Sequence, residues 1–478
     1  MPRLIAVSNR VQVETEGQNA NRGGLAVALA AALRESNGIW FGWSGEQTEE
    51  FSGQITFRRA DGVATATIDL EAQDVEEYYN GFANRTLWPL FHYRLDLTEI
   101  ARDFAGGYAR VNERFAETLG PLIEADDLIW VHDYHLMPLA SHLRKRGFAN
   151  RIGFFLHIPW PPPSLLMSLP GHRDLTLGML DYDVIGFQSD EWRQAFVDYV
   201  AVQFEATIDG DCVCIGDRRT RLLSCPIGLD VTDFCGAVHS LAMKQAENRL
   251  MVSAVGRDMI VGVDRLDYSK GLQERFAGYE LLLTNRPDLR EKVFLLQIAP
   301  PSRGDVASYQ QIRADLSALS GSINGEFASI DWVPIRYVNQ GHSRDELFGI
   351  YRAAKVGLVT PLRDGMNLVA KEYVAAQDPA DPGVLVLSSF AGATAQLKEA
   401  VIVNPHSAED IADGIARALA MPLAERQERH KAMLETITRH DVRWWSQTFM
   451  EALAEDSGAP AETVPAPAPA SMKVVGQD

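Results

Sequence analysis

Residues 356–373 read V-G-L-V-T-P-L-R-D-G-M-N-L-V-A-K-E-Y. The apolar run Val356–Val359 predicts a buried strand, and Asn367–Ala376 has the composition of a helix. Between them a tight turn carries Arg363, Asp364, Gly365 and Met366. Gly and Asp are ordinary turn residues, so a plain turn accounts for part of this. A strand that feeds a helix through such a turn also aims free helix N–H groups past the end of the strand. Those groups suit an anion.

The same alternation runs through most of the chain. Strands are expected at Leu4–Ser8, Leu128–His132, Ile152–His157, Val184–Phe187, Met259–Val263, Val293–Ala299, Val356–Thr360 and Val384–Leu387. Amphipathic segments such as Leu25–Arg34, Pro138–Arg146, Leu272–Thr284 and Glu409–Ala418 lie between several of them. That pattern predicts an α/β fold with largely parallel sheets. The chain has 478 residues, too many for one hydrophobic core. The expectation is two doubly wound domains, residues 1–238 and 239–455, with a ligand cleft between them. The boundary lies in the polar stretch after P-I-G-L-D-V-T-D-F, and the last helix is free to pack back on the first domain. Residues 456–478, with V-P-A-P-A-P-A, read as a disordered tail.

Composition narrows the function. The formal charge of −19 argues against nucleic acid or an anionic membrane surface as partner. The apolar run at the N-terminus is too short for a signal peptide, and no run approaches the ~18 residues of a membrane span. The four cysteines (212, 214, 225 and 235) fit neither a zinc pattern nor a disulfide scaffold. A soluble cytoplasmic protein is expected.

Polar residues recur where strands end. Ser8, Asn9 and Arg10 follow the first strand, and N-R-G-G brings Gly23 and Gly24 before a helix. H-D-Y-H (132–135) follows another strand, and His157 precedes the stiff I-P-W-P-P-P. In the second half come Arg265 and Lys270 in one loop, Arg303 in another, and then the R-D-G-M-N turn. Four basic side chains at one topological position, beside glycine-led helix starts, predict two phosphate-bearing ligands. Asp133, His157 and Asp364 suit sugar hydroxyls. Leu368 and Glu372 share a helix face, so amides near Leu368 on a diphosphate would bring Glu372 to a ribose. His132 and His135 lack a third metal ligand. Asp181-Tyr182-Asp183 precedes a strand, the wrong place for a metal-bound nucleotide sugar. No P-loop and no G-x-S-x-G occurs.

The motifs V-S-N-R, N-R-G-G-L, L-W-P-L-F-H-Y-R, H-D-Y-H-L-M-P, I-G-F-F-L-H-I-P, R-L-D-Y-S-K-G, A-P-P-S-R-G-D-V and P-L-R-D-G-M-N-L-V-A-K-E-Y occur in order from about residue 3 to about 450. Together they resemble glycosyltransferase family 20, the trehalose-6-phosphate synthases. The resemblance implies a GT-B fold of two Rossmann-like domains and transfer of glucose from UDP-glucose to glucose 6-phosphate with retention. It implies that Arg265, Lys270, Gly23 and Gly24 meet the donor diphosphate, and that backbone groups of Leu368, Val369, Ala370 and Lys371 line the nucleotide. Glu372 would take the ribose, and His342 falls at a base-contacting position. Arg10, Tyr79 and Arg303 would hold the acceptor phosphate and Asp133 its sugar. Trp88 and Ile158 occupy positions linked to anomer choice, and His157 and Asp364 would hold the donor glucose.

The implied mechanism lets the departing phosphate take the proton of the attacking hydroxyl, with no metal and no cofactor. Trehalose biosynthesis in osmoprotection and stress response, and a homo-oligomer, are further implications. The loop after His157 departs from the family at Trp160 and Ser164, where Phe and a nearby Glu are more usual. Residues 46–70 and 209–221 carry no usable motif. GDP- or ADP-glucose as donor, glycerol 3-phosphate as acceptor, or a non-catalytic sugar-phosphate sensor stay open as alternatives. A sensor would be marked by loss of the donor cations, and Arg265 and Lys270 are present.

Overall fold

The computed structural model describes residues 2–11, 29, 32–34, 36–60, 62–231, 234, 240–301 and 307–455. Gly23, Gly24, Arg303, the expected boundary at 238/239 and residues 456–478 lie outside the described residues. The chain divides into two compact units. One is built from the chain through Pro226 together with the chain from Arg443 onward, the other from Ile227–Val442.

The first unit has one sheet of ten strands among the described residues. These are β1 (Leu4–Arg10), β2 (Ile39–Thr48), β3 (Thr56–Ala60), β4 (Val63–Glu71), β5 (Leu128–His132), β6 (Ile152–Phe155), β7 (Val184–Phe187), β8 (Thr207–Asp209), β9 (Cys212–Ile215) and β10 (Arg218–Ser224). They lie in the order β3-β4-β2-β1-β5-β6-β7-β10-β9-β8. From β4 to β10 every pairing is parallel, while β3, β9 and β8 join antiparallel at the edges. Covered on both faces, the central strands need continuous apolar runs, and β5, β6 and β7 are buried throughout. The edge strands need the opposite. All five residues of β3 are exposed, Arg58 and Arg59 among them, and so are all three of β8. Such edges discourage further strand pairing. One of the two stretches that show no motif in the sequence contains β3, and the other contains β9.

The last helix, Val442–Ala454, covers the middle of this sheet. Phe449 stacks on Trp130 at 4.6 Å, and Trp445 meets Phe155 at 5.1 Å. Glycines make the slot: a Cβ at Gly153 would stand 2.6 Å from Phe449 Cε1, and one at Gly186 3.0 Å from its Cε2. Gly153→Ala is therefore expected to cost about 1–3 kcal/mol by overpacking. Denaturant unfolding checks this, and trimming the ring with Phe449→Leu in the same chain should restore part of the loss.

The second unit has six strands among the described residues, all parallel: β11 (Asp258–Val263), β12 (Val293–Ile298), β13 (Ile335–Val338), β14 (Val356–Val359), β15 (Val384–Ser388) and β16 (Val401–Val403). Their order is β13-β12-β11-β14-β15-β16. Both sheets therefore run outward from their first strand in one direction and then in the other. The order reverses between β1 and β5, and again between β11 and β14. In open α/β sheets ligands bind beyond the carboxyl ends of the strands at such reversals. Among the described residues, no helix is long and apolar enough to cross a membrane.

Candidate active site

The β11/β14 reversal joins the two loops that the sequence singles out. Leu362 N–H donates to Ser269 O at 2.8 Å, stitching the loop after β14 to the loop after β11. Lys270 is nearly buried, and its Nζ donates to Asp364 Oδ2 at 2.5 Å. Asn367 Nδ2 reaches the same oxygen at 3.1 Å. The turn is clamped from its far side, where Asp364 N–H donates to Phe390 O and Gly392 N–H to Asp364 O. Asn367 then caps the helix Leu368–Ala376 by accepting Ala370 N–H on its side chain, with φ of 76°. Asn tolerates that left-handed conformation better than most residues. The first turn of this helix leaves N–H groups that no helix carbonyl can reach, and they face the carboxyl end of β14. Arg265 follows β11 and is exposed.

Deeper in the same helix, Tyr351 Oη donates to Glu372 Oε2 at 3.3 Å. Burial raises the Glu372 carboxyl, against the opposing pull of Arg344 and the Tyr351 hydroxyl. Lys371 is buried and donates through Nζ to Ile227 O at 2.6 Å, so only its main chain is available to a nucleotide. His342 is half-buried, 3.7 Å from Glu346 Oε2 and just before the Ser343 helix cap.

Beneath the two loops, Arg275 is fully buried and holds the site from below. Its Nη1 reaches Asp264 Oδ2 at 2.7 Å and Gln297 Oε1 at 2.8 Å, and its Nε reaches Thr360 Oγ1 at 3.0 Å. One guanidinium thus ties β12 to the ends of β11 and β14. Gly262 makes the space, since a Cβ there would lie 2.6 Å from Nη1.

The β1/β5 reversal of the first unit gathers a different set. Asn9 Oδ1 accepts from Tyr78 Oη at 2.8 Å, and Ser8 Oγ accepts from Trp40 Nε1 at 2.8 Å. Exposed Arg10 lies 5.7 Å over the Trp43 ring, and a Cβ at Gly45 would strike its guanidinium. Asp133 follows β5 with φ of 72°, and its Oδ1 accepts His157 N–H at 3.3 Å. Ile158 is buried beyond it. Burial pushes the His157 imidazole down to about 3 and holds His132 well below the usual range. Trp160 is fully buried against Phe91 at 5.4 Å and Phe196 at 4.8 Å, whereas Ser164 is exposed. The Trp160 departure is thus taken up by an aromatic core.

Tyr79 and Trp88 come together through an unusual helix. Residues Val75–Leu87 form a π-helix that leads into Trp88. Nine residues of α-helix turn about 900°, which would put the two on opposite faces. At the roughly 4.4 residues per turn of i→i+5 winding, nine residues close to about two turns. Tyr79 stacks on His135 at 5.9 Å, Asn84 Oδ1 accepts from Tyr134 Oη at 3.0 Å, and Trp88 lies 5.7 Å from Tyr134. All three therefore face the loop that carries Asp133. Asn84 and Tyr78 have no motif to reveal them, and the nine-residue spacing misleads a reader who assumes an α-helix.

The structure thus collects Arg265, Lys270, Asp364, Leu368, Val369, Ala370, Lys371 and Glu372 around one reversal, and Arg10, Tyr79, Trp88, Asp133, His157 and Ile158 around the other. Known proteins share this fold. The glycosyltransferase family 20 model matches residues 2–455. A trehalose-6-phosphate synthase of Enterobacter sp. (strain 638) is 48% identical over 455 residues, 95% of either chain. A UDP-forming α,α-trehalose-phosphate synthase from Burkholderia xenovorans, solved in complex with glucose-6-phosphate, has a TM-score of 0.90 at 46% identity, covering 95% of this chain and 100% of that one. A protein from E. coli bound with UDP-2-fluoro glucose has a TM-score of 0.89 at 45% identity, covering 94% and 98%. With two sheets that reverse at these loops and a match over nearly its whole length, the chain belongs to glycosyltransferase family 20.

Proposed function

We propose that this protein transfers glucose from UDP-glucose to glucose 6-phosphate, forming α,α-trehalose 6-phosphate and UDP, the first step of trehalose biosynthesis. The observation that carries the reading is the β11/β14 reversal, where a nearly buried ammonium from one loop meets a carboxylate and an open helix N-terminus from the other. That set can hold a sugar by Asp364 and a diphosphate by Lys270, Arg265 and the amides of Leu368 and Val369. Glu372, oriented by Tyr351, is suited to a ribose diol. Relatives solved with glucose-6-phosphate and with UDP-2-fluoro glucose support this substrate pair.

In this reading the first unit binds the acceptor. Arg10 and Tyr79 hold its phosphate, joined by Arg303, and Asp133 its sugar, while Trp88 and Ile158 shape the choice of anomer. His157 contributes to holding the donor glucose. Catalysis is positioning of the acceptor hydroxyl plus stabilisation of the leaving diphosphate, whose oxygen takes the hydroxyl proton. Lys270 supplies the positive charge at that oxygen, so the reading calls for no metal.

A product assay on purified protein tests it. UDP-, GDP- and ADP-glucose are each paired with glucose 6-phosphate and with glycerol 3-phosphate, with and without EDTA. The expected result is a phosphorylated non-reducing disaccharide, formed fastest from UDP-glucose, only with glucose 6-phosphate, and equally in EDTA. Nucleotide-sugar binding without product from any pair would point instead to a sensor.

A further inference from the structure

Three adjacent parallel strands end in polar residues that touch in series. His132 closes β5, His157 stands two residues past β6, and Gln188 directly follows β7. Gln188 Nε2 lies 3.3 Å from His157 Nδ1, and His157 Nε2 lies 3.3 Å from His132 Nδ1. His132 Nε2 ends the series, buried and without a hydrogen-bond partner among the described residues. Around it stand Trp130, with ring centroids 4.6 Å apart, and Trp445 at 6.2 Å.

The Gln188 end sets the direction of the series. Each neutral imidazole carries one N–H. The Gln188 atom opposite His157 Nδ1 is its amide nitrogen, a donor, so Nδ1 accepts and the His157 proton sits on Nε2. His157 Nε2 then donates to His132 Nδ1, which leaves the His132 proton on Nε2.

We propose that His132 and Gln188 are positioning residues that lock His157 as the neutral Nε2–H tautomer, and that turnover depends on this lock. Nδ1 is then the acceptor of the His157 ring and already takes the Gln188 amide N–H, so a sugar hydroxyl can donate to the ring only by displacing that amide, and the ring has no N–H to spare for it. Its other contacts among the described residues are a carboxylate and aromatic rings. Asp133 accepts the His157 main-chain N–H, Phe155 precedes it on β6, and the helix behind contributes the indole of Trp445. Burial keeps His157 uncharged, in line with its low titration point. The dependence of turnover rests on the role given to His157 in the proposed function, but the tautomer does not.

Two measurements on the full chain test the lock. The first is 15N NMR of the histidine-labelled resting protein, with His157→Gln to assign the signal. The expected spectrum shows His157 as the Nε2–H form at neutral pH, and a mixture of tautomers in Gln188→Met. An Nδ1–H form in the unsubstituted protein would overturn the proposal, whatever the enzyme's substrate. The second compares kcat for UDP-glucose and glucose 6-phosphate in two variants. Gln188→Met should lose roughly tenfold in kcat at every pH, with little change in acceptor KM. Gln188→Glu places a carboxylate against Nδ1 and favours the imidazolium, so its kcat relative to the parent should fall at least about tenfold between pH 8 and pH 5.5. A ratio that stays constant with pH, or a Gln188→Met enzyme with the parent's kcat, would mean that Gln188 only fills space. Failure of the parent protein to make product under any donor would instead count against the proposed function, and the NMR result would stand apart from it.

Discussion

Replacing Lys270 with alanine is expected to lower kcat by about 10²–10³-fold, with a much smaller change in donor KM, as for loss of one preorganised donor at a developing charge. The diphosphate gains negative charge as the glycosidic bond breaks, so an ammonium fixed beside it stabilises the transition state more than the bound substrate. Lys270 is suited to this because it is already desolvated and oriented. It is nearly buried, its Nζ is held by Asp364, and its loop is tied through Ser269 O to Leu362. Removing it also deprives Asp364 of its counter-charge. The double variant Lys270→Ala/Asp364→Asn separates the two effects: if the whole loss came from a misplaced Asp364, the double variant would be no slower than Asp364→Asn alone. Lys270→Arg should recover little, because a planar fork cannot occupy the place of a compact ammonium. The measurement is steady-state kinetics at saturating glucose 6-phosphate, read as transition-state free energy. Unchanged kcat in Lys270→Ala would remove the residue from the leaving-group role.

What the sequence reveals of this site follows from the kind of order involved. The strand of the opening stretch is legible because β14 is buried on both faces, which demands an uninterrupted apolar run. Its helix is legible from Asn367 onward, and Asn367 is the residue that caps it. The reversal at β11/β14 puts Lys270 beside Asp364, and these two loops were marked by polarity at the ends of strands. Edge strands β3 and β8 are exposed throughout, and β9 beside β8 is apolar but only four residues long, so none offers a run to find. Tyr79 and Trp88 share a face only because π winding replaces α winding, and no residue between them announces that change. Arg275 escapes for a different reason. A charged residue on a helix reads as solvent-facing, and its burial depends on three acceptors drawn from β11, β12 and β14.

Arg275→Leu is expected to destabilise the protein by about 3–5 kcal/mol, the cost of leaving a buried charge without its partner. Arg275 is 0% exposed and Asp264 5% exposed, and no solvent stands ready to replace the guanidinium. The leucine fills part of the volume but leaves Asp264, Gln297 and Thr360 without their common donor. The pH dependence identifies the cause. Burial raises the Asp264 carboxyl above its ordinary value, while Arg275 and Lys270 pull it down. Without Arg275 it must rise further. A carboxyl raised in the folded state binds its proton more tightly there than in the unfolded chain. Its contribution is therefore most favourable at low pH, and stability is lost as pH rises through the folded value. The deficit of Arg275→Leu relative to the parent should be largest near pH 8 and shrink towards pH 5. Denaturant unfolding at both pH values measures this, and Arg275→Leu/Asp264→Asn should recover a large part of the loss at pH 8. A deficit equal at both pH values, with no recovery in the double variant, would assign the effect to lost packing volume instead. The same network supports the Lys270 carbonyl through Arg275 Nη2 at 3.4 Å. Folded Arg275→Leu enzyme should therefore also show reduced kcat, and the Asp264→Asn addition, which restores no support to that loop, should repair stability without repairing turnover.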